Sequence, residues 1–245
     1  MPRAVAINVA ANTNQPGVRG PIFPDGGFEY LPIPEPEPTA RSVPTYADLD
    51  TTVELPSGAE ELSVHLDPEF AEYPCCERYT YGDPFGVKAR PLLSLTAGDY
   101  VFFYATLSTA GEPNREWIAP EWGTYIIGQF RLALDPISGE EFAELPAETR
   151  ATFENNAHLK REEFDAEVLV VGSEDESELY ETAVPLSSPE AGVTANRIVT
   201  ELSSDSGKGP WWRRPMKFGD DETEELRSIR ADEAFEQCFD SEEDG

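Results

Sequence analysis

Lysine is scarce in this chain. Lys88, Lys160, Lys208 and Lys217 are the only lysines among 18 basic residues, against 48 Asp and Glu and a formal net charge of −30. Such a surface repels itself unless salt screens it, and at molar salt the screening length falls to about 3 Å. We read an acid-rich, halophilic cytoplasmic protein from a salt-accumulating cell, with an acidic protein of an ordinary cell as the alternative. Other shortages exclude more. Three cysteines (Cys75, Cys76, Cys238) make no disulfide framework. Two histidines, His65 and His158, match no standard zinc spacing, and no metal site is expected. No apolar run reaches the roughly 18 residues of a membrane span. The start Ala4–Ala11, broken by Asn8, does not read as a signal peptide.

What remains is ordinary globular material. With 39% hydrophobic and 11% aromatic residues over 245 positions, the chain can bury a core and suits one domain with tails. Residues 4–10 read as a buried strand, and Tyr100–Leu107 is the strongest strand signal, pairing antiparallel with 123–132. Val168–Gly172 is a further strand. Helix patterns come later: 148–161, a helix capped by Ser173 over 174–181, then 192–202 and 221–237. The expected fold is α+β, a mixed and largely antiparallel sheet, with a small pseudobarrel as a variant, and helices mostly from the C-terminal half. Residues 1–202 form the domain, 203–239 a loop and helix packed on it, and 240–245 a disordered acidic tail.

The most unusual stretch runs from Arg19 to Glu35, where glycines and prolines alternately free and fix the backbone around Arg19, Asp25, Glu29, Tyr30 and Glu35. Alternation sets Glu29 beside Leu31 and Ile33 on one strand face, which points to a paired or a perturbed carboxylate. An edge strand with an Arg19–carboxylate pair reads equally well. His158 sits in the 148–161 helix pattern with Glu154 one turn before and Arg161 three residues after, a general-base setting with a phosphate-holding guanidinium. A surface histidine on a charged helix is the plainer reading. His65 has no comparable setting. Ser173 after Gly172 can offer a phosphate its backbone N–H or simply cap a helix.

Aromatic residues offer stacking faces for a flipped base. Tyr79, Tyr81, Tyr100 and Tyr104 are the candidates, although Tyr100, Phe102 and Tyr104 share one face and read as core; Tyr30 and Asp83 join Tyr79 and Tyr81 in the candidate substrate-binding set. Trp211, Trp212, Arg213 and Arg214 suit a nucleic-acid strand, or else dock on the core and pair with nearby acids. In so acidic a chain the scarce cations Arg19, Arg161 and Lys208–Lys217 guide the search for a partner.

The segment Arg19-Gly-Pro-Ile-Phe-Pro-Asp-Gly-Gly-Phe-Glu-Tyr-Leu-Pro-Ile-Pro-Glu35 resembles the opening signature of the nucleotide modification associated domain 3 family. Tyr79–Asp83, Gly98–Tyr104, Tyr125–Phe130, Asn156-Ala-His158 and Val170–Ser173 follow in order, so the similarity runs over about residues 4–200. Acidic insertions around 36–62 and the stretch after 203 depart from it. The resemblance implies an α+β fold and a setting in DNA base modification, and it brings no mechanism or cofactor. The expectation is therefore a nucleotide- or DNA-base-directed protein of a base-modification or defence pathway. Its partners would be a nucleotide or DNA and other proteins of that pathway. As an enzyme, Asp25, Glu29 and His158 would be catalytic, with Arg19 and Arg161 on phosphate. A non-catalytic reader of modified bases and an interaction scaffold stay open.

Overall fold

A computed structural model describes residues 1–239. In chain order the first strands are β1 (Ala4–Asn8), β2 (Pro21–Ile22), β3 (Ile33–Pro34), β4 (Val64–His65) and β5 (Thr80–Asp83). Helix α1 (Gly86–Leu92) precedes the long strands β6 (Tyr100–Thr109) and β7 (Trp122–Arg131). Then come β8 (Ile137–Ser138), the short helices α2 (Gly139–Phe142), α3 (Ala147–Ala151) and α4 (Ala157–Lys160), and β9 (Val168–Val171). The chain continues through β10 (Glu178–Pro185), β11 (Ser187–Ser188), β12 (Ala191–Ala195), β13 (Met216–Phe218) and α5 (Asp220–Ala231).

The main sheet has the order β10-β7-β6-β1-β13, with β2 also on β6. β6 and β7 run antiparallel from Tyr100↔Arg131 to Ser108↔Trp122, with a bulge after Phe103. β1 lies parallel to β6, Ala4 opposite Tyr100 and Asn8 opposite Tyr104. β6 is buried on both faces from Tyr100 to Leu107, which is why its apolar run is nearly continuous. The sheet stays open at both edges, so the pseudobarrel variant is not adopted; the architecture is α+β with mixed, mostly antiparallel sheets. A smaller antiparallel sheet, β5-β9-β8, and the β3–β4 pair complete the frame around the site. No helix among the described residues is long and apolar enough to cross a membrane.

Several helix expectations give way to tertiary pairing. The 148–161 pattern breaks into α3 and α4, because Phe153 turns into the core while Asn156 leaves the helix and accepts a hydrogen bond from the His158 N–H. Asparagine competes for local backbone partners in this way and favours caps over helix interiors. Residues 174–176 form a turn and 178–181 open β10, since pairing with β7 satisfies the backbone and buries Tyr180. Ser173 therefore caps no helix. Residues 191–195 pair as β12 with β11, and only Ile198–Leu202 coils into one wide turn. The last helix matches its expected position but ends at Ala231. Helix α1, which carries Pro91 in its last turn, had no counterpart among the expected elements. The expected disorder of 240–245 lies outside the described residues.

The core is knit by edge-to-face rings, with Phe103 and Phe130 centred 4.5 Å apart and Phe70 5.4 Å from Phe130. Gly128 on β7 makes room for Phe70; a Cβ there would lie 2.7 Å from both that ring and the Glu178 carbonyl. Replacing Gly128 by Ala forces backbone and ring apart. We expect a loss of about 1–3 kcal/mol, read as a lower urea midpoint with an unchanged slope.

Candidate active site

Four segments far apart in sequence converge at the end of β1. Pairing of Ile33 with His65 across β3–β4, followed by the Glu35 N–H to the Ser63 carbonyl at 2.9 Å, sets the Glu35 carboxylate against His65. Residues 38–40 run beside 160–162, where the Ala40 N–H donates to the Lys160 carbonyl at 2.8 Å and the Glu162 N–H to that of Pro38 at 3.0 Å. That contact carries Arg161 to Glu35. β5 supplies the floor: the Gly82 N–H donates to both Asp67 carboxylate oxygens at 3.0 and 3.1 Å. A Cβ on Gly82 would sit 2.7 Å from His158 Cδ2, so only glycine allows this approach.

The result is a buried group of His65, Asp67 and His158, each offering a ligand atom within 4.8 Å of the others. The two imidazoles stand edge to face, 4.9 Å apart. His65 Nδ1 lies 2.6 Å from Glu35 Oε2 and His158 Nδ1 2.7 Å from Asp165 Oδ1. Ionised carboxylates only accept, so each Nδ1 carries a proton and each Nε2 is the ring nitrogen whose lone pair is left for a ligand. Those Nε2 atoms face Asp67 Oδ2 at 3.9 and 3.6 Å. Two ligands of one transition metal lie no farther apart than twice a bond length, about 4.2 Å. Both spacings to Asp67 lie within that limit. Carboxylate-backed histidines are also the usual outer support of metal ligands.

Charge points the same way. Glu35, Asp67, Asp83 and Asp165 face two cationic side chains, Arg161 and Lys88, leaving two negative charges to balance. Arg161 donates through Nε and Nη2 to Glu35 at 3.0 and 2.8 Å and through Nη1 to Asp165 at 2.5 Å. Burial alone would raise the Glu35 pKa, but His65 and Arg161 bring it down to about 2. Burial likewise opposes charge on His158, yet bonds to Asp165 and Asp67 raise its pKa to about 9. Without an ion the cluster thus holds a proton where a divalent cation would fit. Tyr81, whose ionisation burial and the neighbouring Asp83 and Asp67 charges suppress, stays a neutral donor, bonded to Asp83 Oδ2 at 2.6 Å.

A cavity of about 470 Å³ opens above this group. Tyr81, Asp83, Lys88 and the Asn8–Ala10 turn line it, with Phe85 at its rim, 67% exposed. Of the residues expected from sequence, the structure brings His158, Arg161, Tyr81 and Asp83 together here. His158 is buried, and its acidic partners are Asp165 and Asp67 in place of Glu154, because the helix that would have aligned Glu154 is broken. Arg161 is occupied by two carboxylates. His65, without a setting in the sequence, is an equal member of the cluster.

The other expected residues lie elsewhere. Asp25 is exposed and accepts from the Gly27 N–H in its own turn at 3.1 Å. Glu29 is held by Thr51 and Thr52. Tyr30 packs against Phe70 and Tyr73, and Tyr79 against Phe130 in the same core. Ser173 donates its N–H to the Arg131 carbonyl at 2.8 Å. Trp211 is buried, donating to the Val193 carbonyl at 2.9 Å, and Arg214 pairs with Asp205 at 2.8 Å. Arg19, Trp212 and Arg213 meet in an adjoining cleft. The sequence assigned no role to Glu35, although it lies in the unusual Arg19–Glu35 stretch, nor to His65, Asp67 or Asp165. The spacing His65-Leu-Asp67, which sets two polar groups on one side of an extended segment, was the available signal.

Arg161→Met removes the partner of a Glu35 carboxylate whose side chain is 1% exposed. We expect a stability loss of about 3–5 kcal/mol by urea denaturation; an unchanged midpoint would mean the guanidinium carries no structural load.

A family profile described as nucleotide modification associated domain 3 matches residues 3–235, so it takes in β13 and α5 and, contrary to expectation, the stretch after 203 does not depart from the family. No curated protein and no solved structure matches the chain significantly.

Proposed function

The chain belongs to the nucleotide modification associated domain 3 family, and from that premise we propose that it is a metal-dependent enzyme acting on a nucleotide or a DNA base. One observation carries the reading: two histidines and one carboxylate converge within 4.8 Å at the floor of a cavity large enough for a nucleobase. His65 Nε2, His158 Nε2 and Asp67 Oδ2 would ligate a divalent transition metal. Three protein ligands leave positions for water and substrate, so such an ion can polarise a substrate oxygen or lower the pKa of a bound water. Glu35 and Asp165 orient the imidazoles. Asp83, Lys88 and the neutral Tyr81 hydroxyl offer acceptors and donors for the edge of a base, and exposed Phe85 offers a stacking face at the rim.

Catalysis is favoured over a non-catalytic reader of modified bases by where the aromatics lie. A reading cage needs exposed rings, whereas Tyr79, Tyr100 and Tyr104 are core residues. The test is cobalt(II) titration followed by visible absorption. We expect one equivalent to bind the wild-type chain, binding to be lost in His158→Ala and Asp67→Asn, and the cobalt spectrum to shift when a nucleoside monophosphate is added. A wild-type chain that takes up no cobalt, zinc, iron or manganese would falsify the proposal. A second variant probes the same geometry without touching a ligand. Gly82→Ala displaces the His158 ring, and we expect cobalt affinity to fall at least tenfold, or about 1.4 kcal/mol, while the far-UV spectrum is retained.

A further inference from the structure

The second cleft is unlike the rest of this protein's surface. It has a volume of about 320 Å³ and is lined by Asn12, Asn14, Arg19, Thr106 and Arg213, beside Trp212. None of its lining residues is a carboxylate, in a chain that carries 48 of them. Every polar side chain facing it can donate a hydrogen bond, and two are guanidinium groups.

Both cations are available. Arg19 stacks over Trp122, its guanidinium carbon 4.7 Å from the ring centroid, and its Nε is buried without a hydrogen-bond partner among the described residues. An acidic protein has no shortage of carboxylates to place there, yet none pairs with it. Arg213 is exposed and likewise makes no ion pair among the described residues, although its neighbour Arg214 is tied to Asp205. The wall behind is aromatic: Trp122 meets Trp212 edge to face at 5.7 Å, and Trp212 meets Trp211 at 5.9 Å. Guanidinium groups with neutral amide and hydroxyl donors form the donor set that a phosphate oxygen array requires. A half-buried tryptophan beside it gives a base a stacking surface.

The cleft also adjoins the metal cavity. Asn8 and Asn12 line both, so the two hollows share a wall at the end of β1. Building on the metal-site reading, we propose that the Arg19–Arg213 cleft holds a backbone phosphate of a single-stranded nucleic acid whose neighbouring nucleotide enters the metal cavity. A base in the first cavity and a phosphate in the second then belong to one strand, and Trp212 stacks the next base. Phosphate contacts position a strand and carry no sequence information. Selection of the base therefore belongs to the first cavity.

The test uses the full chain and a labelled single-stranded oligodeoxynucleotide of about 10 nucleotides, a length within the usual range for such sites. Binding is followed by anisotropy across a salt series. We expect Arg19→Gln and Arg213→Gln each to weaken the oligonucleotide at least about tenfold and to flatten the dependence on salt. A nucleoside 5′-monophosphate should bind both variants as it binds the wild type. Arg213 is exposed and makes no ion pair among the described residues, which keeps the result readable if the Arg19 variant proves unstable. Unchanged oligonucleotide affinity in both variants, or no oligonucleotide binding by the wild type, would overturn the proposal. Equal weakening of the mononucleotide would overturn it too, since the cleft would then serve the phosphate of a free nucleotide. Cobalt titration of the same proteins separates the two readings. Strand binding without cobalt uptake leaves this one standing and sinks the metal site; cobalt uptake without strand binding does the reverse.

Discussion

The contact on which the site depends is the Arg161 guanidinium held between Glu35 and Asp165. These two carboxylates are also the groups that fix the His65 and His158 rings. One cation thus neutralises both supports, joins the segment after β3 to the loop after α4, and sets the direction in which two imidazole nitrogens point. Planar, permanently charged and able to donate along several directions, a guanidinium can bridge two carboxylates at fixed angles where an ammonium could not. A buried ionic set of this kind is poor value as a source of net stability, because desolvation consumes much of the Coulomb gain. Its retention in the interior is better understood as the means of presenting His65, Asp67 and His158 together.

Charge is distributed with a purpose that the total conceals. Net charge −30 describes a surface that would repel a polyanion. Within that field lie two adjoining hollows of opposite character. One gathers carboxylates around two histidines and suits a cation; the other excludes carboxylates and presents Arg19 and Arg213. A substrate that carries both a base and a phosphodiester would find a place for each. Screening by salt weakens long-range repulsion far more than it weakens contacts made inside such hollows.

Much of the framework was legible beforehand. The strands at 4–8, 100–109, 122–131 and 168–171 are dense in β-branched and aromatic residues, and burial on both faces makes that signal independent of register. The acidic first turn of α5 marked the last helix in the same way. Less could be read where local preference and tertiary pairing disagree. Residues 178–185 have a helix-compatible composition but complete the sheet against β7. Residues 148–161 lose their middle turn so that Phe153 and Asn156 can both face inward. In the site, His158, Arg161, Tyr81 and Asp83 could be singled out because each has suggestive neighbours in the chain. Glu35 and His65 could not, since what gives them meaning lies 30 to 126 positions away; Asp165 sits only four and seven positions from its partners Arg161 and His158, but the helix pattern over 148–161 ends before it.

By itself, then, the sequence determined the fold class, the principal strands, the family and the chemical raw material: two histidines, few cations and many acids. Hydrophobic patterning and short motifs are local properties, and they survive any arrangement of the rest. Only the tertiary structure decided that both histidines meet over Asp67, that Arg161 supports the site from within, and that Arg19 and Arg213 share a cleft free of carboxylates. Those outcomes depend on strand pairing and on charges such as Glu35 and Arg161 meeting across more than a hundred residues, which no local pattern encodes.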